Sequence, residues 1–598
     1  MSTVASLPIV AAAGGSFLIE SRTPAEVFTP EDLNEEQRQF AATAAQFGRE
    51  EILPLVAEIE AKKPGVLPAL MRKAGDLGLT GIEVPEEYGG MGLDKISSTA
   101  ITDHLSVLAS FSTAFGGQIG IGTLPLVWYG TEEQKQRYLP KLATAEWISA
   151  YALSESTSGS DAMNIRTRAT LSADGKTYTL NGEKMWITNA GIADLFTVFA
   201  KIDGEKFSAF LVERTSPGLK IGAEEHKLGI RGSSTCPLIL DGCTIPAGNL
   251  LGEAGKGHHI AFNVLNIGRF KLGVACVGGA RYAFAHMVRY AKERKAFGRA
   301  IAEFGLIQQK ISACAARLYA TESMAYRTAG LLEAGLESLG EQRHEPRAIQ
   351  KRIEEYAVEC SILKVYGSEM MTLVADELLA TMGGYGYVEE YPAERLYRDA
   401  RINRIFEGTN EINRLIITGW LMKRAMNGEL PLLKAIQKLM DDVTQPPSFD
   451  GSGDSGEALA REAEILAAVK KIALFAAGVA SQRFMTALQD QQEVMGDLAD
   501  MIGQVFALES ALLRARKMAD RGTGTAEIAA AMTGLLAEES LAVAEMAGRR
   551  VLAACAEGDM LRTQLVILRR LAKQVPADVV GLSRKVARLC ITSEKYPL

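Results

Sequence analysis

The sequence lacks the features that would announce several common functions. Its seven cysteines are scattered over 598 residues, and no two stand in a C-x-x-C arrangement; Cys236 and Cys243 are the closest pair. That pattern argues against structural zinc and fits reduced thiols in a cytosol-like compartment, so the bacterial cytoplasm is the expected location. His258-His259 has no second ligand cluster near it; it reads as a loop feature, and no metal is expected. Positive charge is not in excess: 65 Lys and Arg against 72 Asp and Glu leave −7, which gives no basic field for nucleic acid. No apolar run reaches the roughly 18 residues of a membrane span. Residues 7–19 are mildly apolar, but no basic segment precedes them, and Arg22 is the only basic residue before position 31. That fits neither a signal peptide nor an Arg-rich transit peptide. No glycine-rich dinucleotide fingerprint follows a strand-like run.

What is present is a large apolar fraction, 47%, arranged in changing periods. Residues 1–29 read as an irregular arm. Residues 30–150 carry helical periodicity from Pro30-Glu31-Asp32-Leu33 onward, with Phe40, Ala44 and Phe47 on one face. From 151 to 258 the pattern becomes short β-like runs holding Tyr178, Leu180, Phe196, Val198, Phe210 and Val212. Turn residues at 173–176, Asn181-Gly182, 203–205, Pro217-Gly218 and Asp241-Gly242 separate them, which predicts a small barrel or sandwich. Long helices are predicted near 260–294, 301–335 and 351–382, with a fourth after Glu407; together they make a bundle over 259–430, with an exposed loop at 335–353. Residues 431–457 read as a linker, most clearly from 444 on. Beyond it, 458–598 is Ala-rich and helical, with runs near 458–485, 490–520, 526–556 and 567–590. The fold class is therefore mainly α with a central β-domain, plus an additional C-terminal helical bundle.

One stretch stands out for chemistry: Arg404-Ile405-Phe406-Glu407-Gly408-Thr409-Asn410-Glu411-Ile412. Gly408 tolerates unusual backbone angles, and Thr409 or Asn410 can cap a following helix. Glu407 then sits on a tight helix-to-helix turn beside an apolar wall, where a carboxylate can serve as a general base. From spacing alone, a surface-loop Glu at a helix junction is the commoner arrangement. Trp186 with Ser154 and Thr188 could offer a flavin one aromatic face and two hydroxyls, or could be a buried strand Trp with ordinary neighbours. Gly116, Gly117, Gly120 and Gly122 are costly in a helix interior, so they make room either for a ligand tail or for close helix packing.

Five motifs in order resemble the acyl-CoA dehydrogenase family over roughly residues 30–425, and the extra length resembles its very-long-chain branch. They are Tyr151-Ala152-Leu153-Ser154-Glu155, Gly159-Ser160-Asp161, Met185-Trp186-Ile187-Thr188-Asn189, Glu293-Arg294-Lys295-Ala296-Phe297-Gly298 and the Glu407 stretch. The resemblance implies FAD-dependent α,β-dehydrogenation of long-chain acyl-CoA, with Glu407 taking the α-proton and flavin N5 the β-hydride. It implies FAD contacts from Tyr151, Leu153, Ser154, Gly159, Ser160, Trp186, Ile187 and Thr188. It also implies that Arg294 and Phe297 reach the cofactor of a neighbouring subunit, and that Gly383, Gly384, Thr409 and Glu411 complete the set. It implies substrate contacts from Ser160, Asn266, Arg269, Gly116 and Gly408. Ala296 and Ala380 depart from polar residues common in relatives. The implied partners are an electron-transfer flavoprotein and a second copy of the chain, as a homodimer. An acyl-CoA oxidase using O2 and an assembly scaffold retaining the fold are the alternatives. Residues 562–595 hold Arg562, Arg569, Arg570, Lys573, Arg584, Lys585, Arg588 and Lys595; a basic helix of this kind is either a solvated face or a peripheral membrane contact.

Overall fold

The computed structural model describes residues 11–444 and 457–598. Within the arm expected as irregular, 11–29 contains two short 3-10 turns, Ser16–Leu18 and Pro24–Glu26. It lies on the C-terminal bundle, where the Phe17 ring packs tilted against Phe506 with centroids 4.8 Å apart.

Capping residues set the boundaries of the first helical layer. Asn34 accepts the Gln37 N–H at the start of α1 (Glu35–Phe47), and the Gln37 side chain returns to the Asn34 N–H. The layer continues through α2 (Val56–Glu60), α3 (Val66–Asp76), α4 (Lys95–Leu105), α5 (Ala109–Gly116), α6 (Leu124–Tyr129) and α7 (Glu132–Ala143). The glycine-rich segment Gly117–Gly122 is a π-helical turn at the end of α5.

Eight strands follow: β1 (Ser149–Ala152), β2 (Arg168–Leu171), β3 (Thr177–Thr188), β4 (Leu195–Ile202), β5 (Lys206–Glu213), β6 (Leu219–Ile221), β7 (Thr235–Pro246) and β8 (Leu250–Leu251). They form one sheet in the order β6-β7-β3-β2-β4-β5-β8, with β1 parallel to β4. The ladder ends at β6 and β8, giving one mixed sheet where a small barrel or sandwich was expected. Asn181-Gly182 and Asp241-Gly242, expected as turns, lie inside β3 and β7, where the register shifts and the Gly242 N–H donates to Asn181 Oδ1 at 2.8 Å. A bulge uses the same residue types as a turn, which explains the misreading.

The bundle is built from α8 (Gly257–Glu293), α9 (Gly305–Glu337), α10 (Pro346–Glu355), α11 (Ala357–Met382), α12 (Pro392–Ala400) and α13 (Asn410–Met426). Between α8 and α9 a small hairpin pairs β9 (Lys295–Ala296) with β10 (Arg299–Ala300). Two expectations change. His258 and His259 sit in the first turn of α8, not in a loop. The predicted loop 335–353 ends early, because Pro346 starts α10 and buries Ile349 and Ile353. α8 is long and apolar enough to cross a membrane by composition, yet most of it is core.

The predicted linker is also shorter than its composition suggested. Residues 432–444 form α14 (Leu432–Thr444), which buries Leu432, Leu439 and Val443; residues 445–456 lie outside the described residues. The C-terminal domain comprises α15 (Ala460–Phe484), α16 (Gln492–Asp520), α17 (Ala526–Cys555), α18 (Gly558–Leu571) and α19 (Val579–Ser593). The last predicted helix is thus two, broken around Pro576, which cannot donate to a helix interior. The domain packs on α9 and α13 through Tyr319, whose hydroxyl donates to Ala511 O at 3.0 Å, and Thr418, which donates to Met495 O at 2.8 Å. Buried Arg514 reaches Glu322 of α9 at 2.6 Å and Glu31, in the 3-10 turn Pro30–Asp32 just after the arm, at 2.7 Å.

Candidate active site

The sheet and the bundle meet at a cleft whose floor is the turn before α13. Thr409 is the N-cap of α13, accepting the Ile412 N–H at 3.2 Å. The capped turn places Glu407 and Gly408 both at positive φ, 58° and 78°. Such a conformation is strained for Glu and persists only where the surroundings over-determine it. They do so here. Asn413 donates to the Gly408 carbonyl at 2.8 Å and the Thr409 carbonyl at 3.0 Å; Lys364 of α11 donates to the Gly408 carbonyl at 2.7 Å; Arg269 of α8 donates to the Glu407 carbonyl at 3.3 Å.

The Glu407 carboxyl is shut off from solvent at Oε2, which meets no hydrogen-bond donor among the described residues. A surface-loop Glu is therefore excluded. Burial pushes this carboxyl up to about 7, with Arg269 and Lys364 pulling the other way. Space for the carboxyl comes from Gly268: a Cβ there would stand 2.6 Å from Oε2. The Glu407 N–H likewise meets no acceptor among the described residues.

Two cavities meet at this residue. The larger, about 1950 Å³ including its open mouth, is lined by Tyr151, Leu153, Ser154, Gly159, Ser160, Trp186, Ile187, Thr188, Asn266, Arg269, Gly408 and Ile412. His258, Phe262, Gln350 and Glu354 flank it. The other, about 1080 Å³, runs between α4, α5, α8 and α12 and is lined by Gly116, Gly117, Gly120, Gly268, Leu272 and Met371, among others. Gly117, Ile121, Thr188, Phe406 and Glu407 line both. The glycines therefore make room as well as allow packing: a Cβ at Gly116 would meet nothing within 4 Å, whereas one at Gly117 would crowd Asn189 Nδ2 at 3.1 Å.

Local structure explains how the β-domain presents its side chains. The pairing of β3 with β7 slips between Lys184 and Ile187, and Trp186 takes φ 57°. That bulge turns the indole outward, 56% exposed, so it is not a buried strand Trp. Behind it, Met185 N–H donates to Ser154 O at 3.0 Å, and the buried Lys184–Glu155 pair at 2.6 Å locks the two loops together. Arg269 is 7% exposed and donates to Asn266 Oδ1 at 2.7 Å, which excludes a helix-surface charge.

The remaining predicted residues lie elsewhere. Arg294 and Phe297 project from the end of α8 and the β9–β10 hairpin; Phe297 is 95% exposed at φ 51°, and the Arg294 guanidinium lies 5.7 Å over the Tyr385 ring. Gly383 and Gly384 open the exposed turn that carries Tyr385. Thr409 serves as the cap, and Glu411 is exposed beside it; neither lines the Glu407 cleft. Sequence reasoning missed Lys364 and Gly268. A lone cation in Ile362-Leu363-Lys364-Val365 is the signal that could have marked the first, since lysine is almost never fully buried.

Comparison with known proteins is decisive at this point. Family models described as the N-terminal, middle and C-terminal domains of acyl-CoA dehydrogenase match residues 34–146, 150–243 and 255–422, and a second C-terminal-domain model matches 468–570. A probable acyl-CoA dehydrogenase of Bacillus subtilis is 47% identical over 586 residues, 98% of both chains. The chain belongs to the acyl-CoA dehydrogenase family. A crystal structure of an acyl-CoA dehydrogenase complexed with FAD from Bacillus anthracis superposes with TM-score 0.95 at 45% identity, covering 98% of this chain and 100% of that one. The bovine very long-chain specific mitochondrial acyl-CoA dehydrogenase is 34% identical over 538 residues, 83% of this chain and 77% of its own. The second C-terminal model puts α15–α18 of this acyl-CoA dehydrogenase within the family's own architecture.

Proposed function

We propose that this acyl-CoA dehydrogenase oxidises long-chain acyl-CoA thioesters to trans-2-enoyl-CoA, with FAD as cofactor and Glu407 as the base that removes the α-proton. The observation that carries the reading is the unpartnered Glu407 Oε2 at the meeting point of two cavities. FAD, when bound, supplies the acceptor for the β-hydride. The cleft fits such a group: an outward-turned indole offers an aromatic face, and Ser154 and Thr188 line the same wall with hydroxyls. The chain's own part is proton handling and placement. The free Glu407 N–H is available to the thioester carbonyl, where negative charge develops as the α-proton leaves. Oε2 receives that proton, and a carboxyl titrating near 7 suits the task.

Chain length follows from the second cavity. Its glycine-lined wall gives an acyl tail somewhere to go beyond Glu407, which supports long chains. The exposed Phe297, Tyr385 and Tyr387 favour a homodimer in which the partner covers this edge and Arg294 and Phe297 complete the neighbour's cofactor site. Electron-transfer flavoprotein is the proposed acceptor. All seven cysteines are free and buried, which supports a reducing compartment such as the bacterial cytoplasm. On α18 and α19, exposed Met560, Val566 and Val580 accompany Arg562, Arg569 and Arg584, which favours a peripheral contact with anionic lipid.

Anaerobic titration of the purified holoprotein with palmitoyl-CoA tests the reading. The flavin absorbance should bleach, and butyryl-CoA should bleach it more slowly. An unchanged spectrum with every acyl-CoA sinks it. Stoichiometric peroxide in air would identify O2 as the acceptor in place of the flavoprotein.

A further inference from the structure

Lys364 is fully buried on α11 and forms no ion pair with a carboxylate among the described residues. Its ammonium donates to two neutral acceptors, the Gly408 carbonyl at 2.7 Å and Asn410 Oδ1 at 2.8 Å. Burying an ammonium without a close counter-ion is expensive, and an apolar side chain would fill the same space at less cost. The charge therefore needs a reason, and its two acceptors name one: they flank the turn that carries Glu407.

The contacts continue outward. Asn410 also donates to Glu369 Oε1 at 3.0 Å and to Ser368 Oγ at 3.1 Å. Glu369 accepts from Arg414 at 2.9 Å, and Arg414 Nε donates to Asp500 at 2.7 Å. Asp500 belongs to α16, in the C-terminal domain. An unbroken polar chain thus joins the catalytic turn to a domain on the far side of α13.

We propose that Lys364 is a positioning residue for Glu407, clamping the turn from behind, and that Asn410, Glu369, Arg414 and Asp500 anchor this clamp in the C-terminal domain. The proposal rests on Glu407 being the proton acceptor. The clamp has an electrostatic side. The charged or titratable groups nearest the carboxyl are Arg269 of α8, Lys364 of α11 and Tyr151 of β1; Lys271, Cys276 and Asp399 line the adjoining cavity, and His258, His259, Glu354 and Lys423 line the larger one. Arg269 and Lys364 are the cations that favour the ionised carboxyl. Removing Lys364 loosens the turn and also leaves Glu407 more basic.

The test uses full-length, FAD-loaded protein. Lys364→Met should retain flavin and lower the rate of anaerobic flavin reduction by palmitoyl-CoA by roughly tenfold to a hundredfold, the scale of a slightly misplaced reacting group. The midpoint of that rate against pH should rise by about one unit. A loss of packing that merely admitted water would move the midpoint the other way, downward, since burial is what raises it. A carboxyl infrared band, assigned by its disappearance in Glu407→Gln, should titrate with the same upward shift, and this readout needs no turnover. An unmoved band together with the wild-type rate overturns the proposal. If wild-type flavin never bleaches, the proposed reaction fails first, and the band shift still judges the clamp. Where Lys364→Met does not fold, Lys364→Gln and Asp500→Asn take its place. Gln keeps a donor but no charge, so the band should shift. Asn at 500 weakens the anchor, so reduction should slow severalfold with flavin content unchanged. No shift in the first and no slowing in the second overturn it equally.

Discussion

The Gly268 backbone and the Glu407 carboxyl touch: the space a Cβ would fill on α8 is occupied by Oε2, 2.6 Å away. Gly268→Ala should push the carboxyl off its position. Flavin reduction should fall on the order of a hundredfold, and overpacking should cost about 1–3 kcal/mol of stability. Stopped-flow reduction and chemical denaturation measure the two effects separately, and retained flavin absorbance would show the cofactor site intact.

Glu407→Gln removes the proposed base while keeping the shape of the side chain. Holoprotein with this change should keep its yellow colour yet reduce roughly 10²–10⁴ times more slowly, the usual contribution of a general base. Reduction at the wild-type rate would assign the proton to another group.

The same substitution has a pH-dependent effect on stability. Burial raises Glu407 to about 7, above its ordinary value of 4.5, so folding favours the neutral form. The associated stability is fully present below the unfolded value and is lost as pH rises through about 7. Wild type should therefore lose up to about 3 kcal/mol relative to Glu407→Gln between pH 5 and pH 8. Thermal melts of both proteins at the two pH values provide the check; parallel pH curves would contradict it. The same ionisation predicts flavin reduction that rises with pH and levels off above neutrality.

Gly116 faces open space in the second cavity. Leu at this position should block a long tail and spare a short one. Turnover of palmitoyl-CoA should drop about tenfold or more, on the scale of a few methylene groups displaced from an apolar site, while butyryl-CoA turnover holds. Equal losses on both substrates would place the tail elsewhere.

Arg514 is 2% exposed and joins Glu322 to Glu31, so α16, α9 and the turn Pro30–Asp32 meet at one guanidinium. Arg514→Leu leaves buried Glu322 with Arg281 as its remaining cation. Destabilisation of about 3–5 kcal/mol is expected, as for other broken buried pairs. Denaturation midpoints measure it, and a change within experimental scatter would show that the domains are held by apolar contact alone.

Periodicity and punctuation made the helical layers legible, because start signals such as Pro30-Glu31-Asp32-Leu33 are local, although that stretch proved to be a short 3-10 turn and the α-helix begins at Glu35. The cleft was legible only where residues belong to short motifs: Tyr151, Trp186, Thr188 and Glu407 could be named before any contact was known. Lys364 and Gly268 were not, since each matters through a neighbour far away in sequence. Lys364 lies 44 positions from the carbonyl it holds. Bulges were taken for turns because Asn-Gly and Asp-Gly supply positive φ to both. The α14 helix was hidden by the polar run after it, and Pro346 concealed a helix start inside what composition suggested was a loop.

In the proposed reaction, the meeting of two cavities at Glu407 would set where along a substrate the oxidation falls. A thioester entering from the wide mouth would bring the same two carbons to the carboxyl whatever the tail, with the tail accommodated only beyond that point. Position is thus counted from the thioester end, and tail length is left as slack. A substrate shortened by two carbons would present its next C2–C3 bond in the same place, with an emptier cavity behind it.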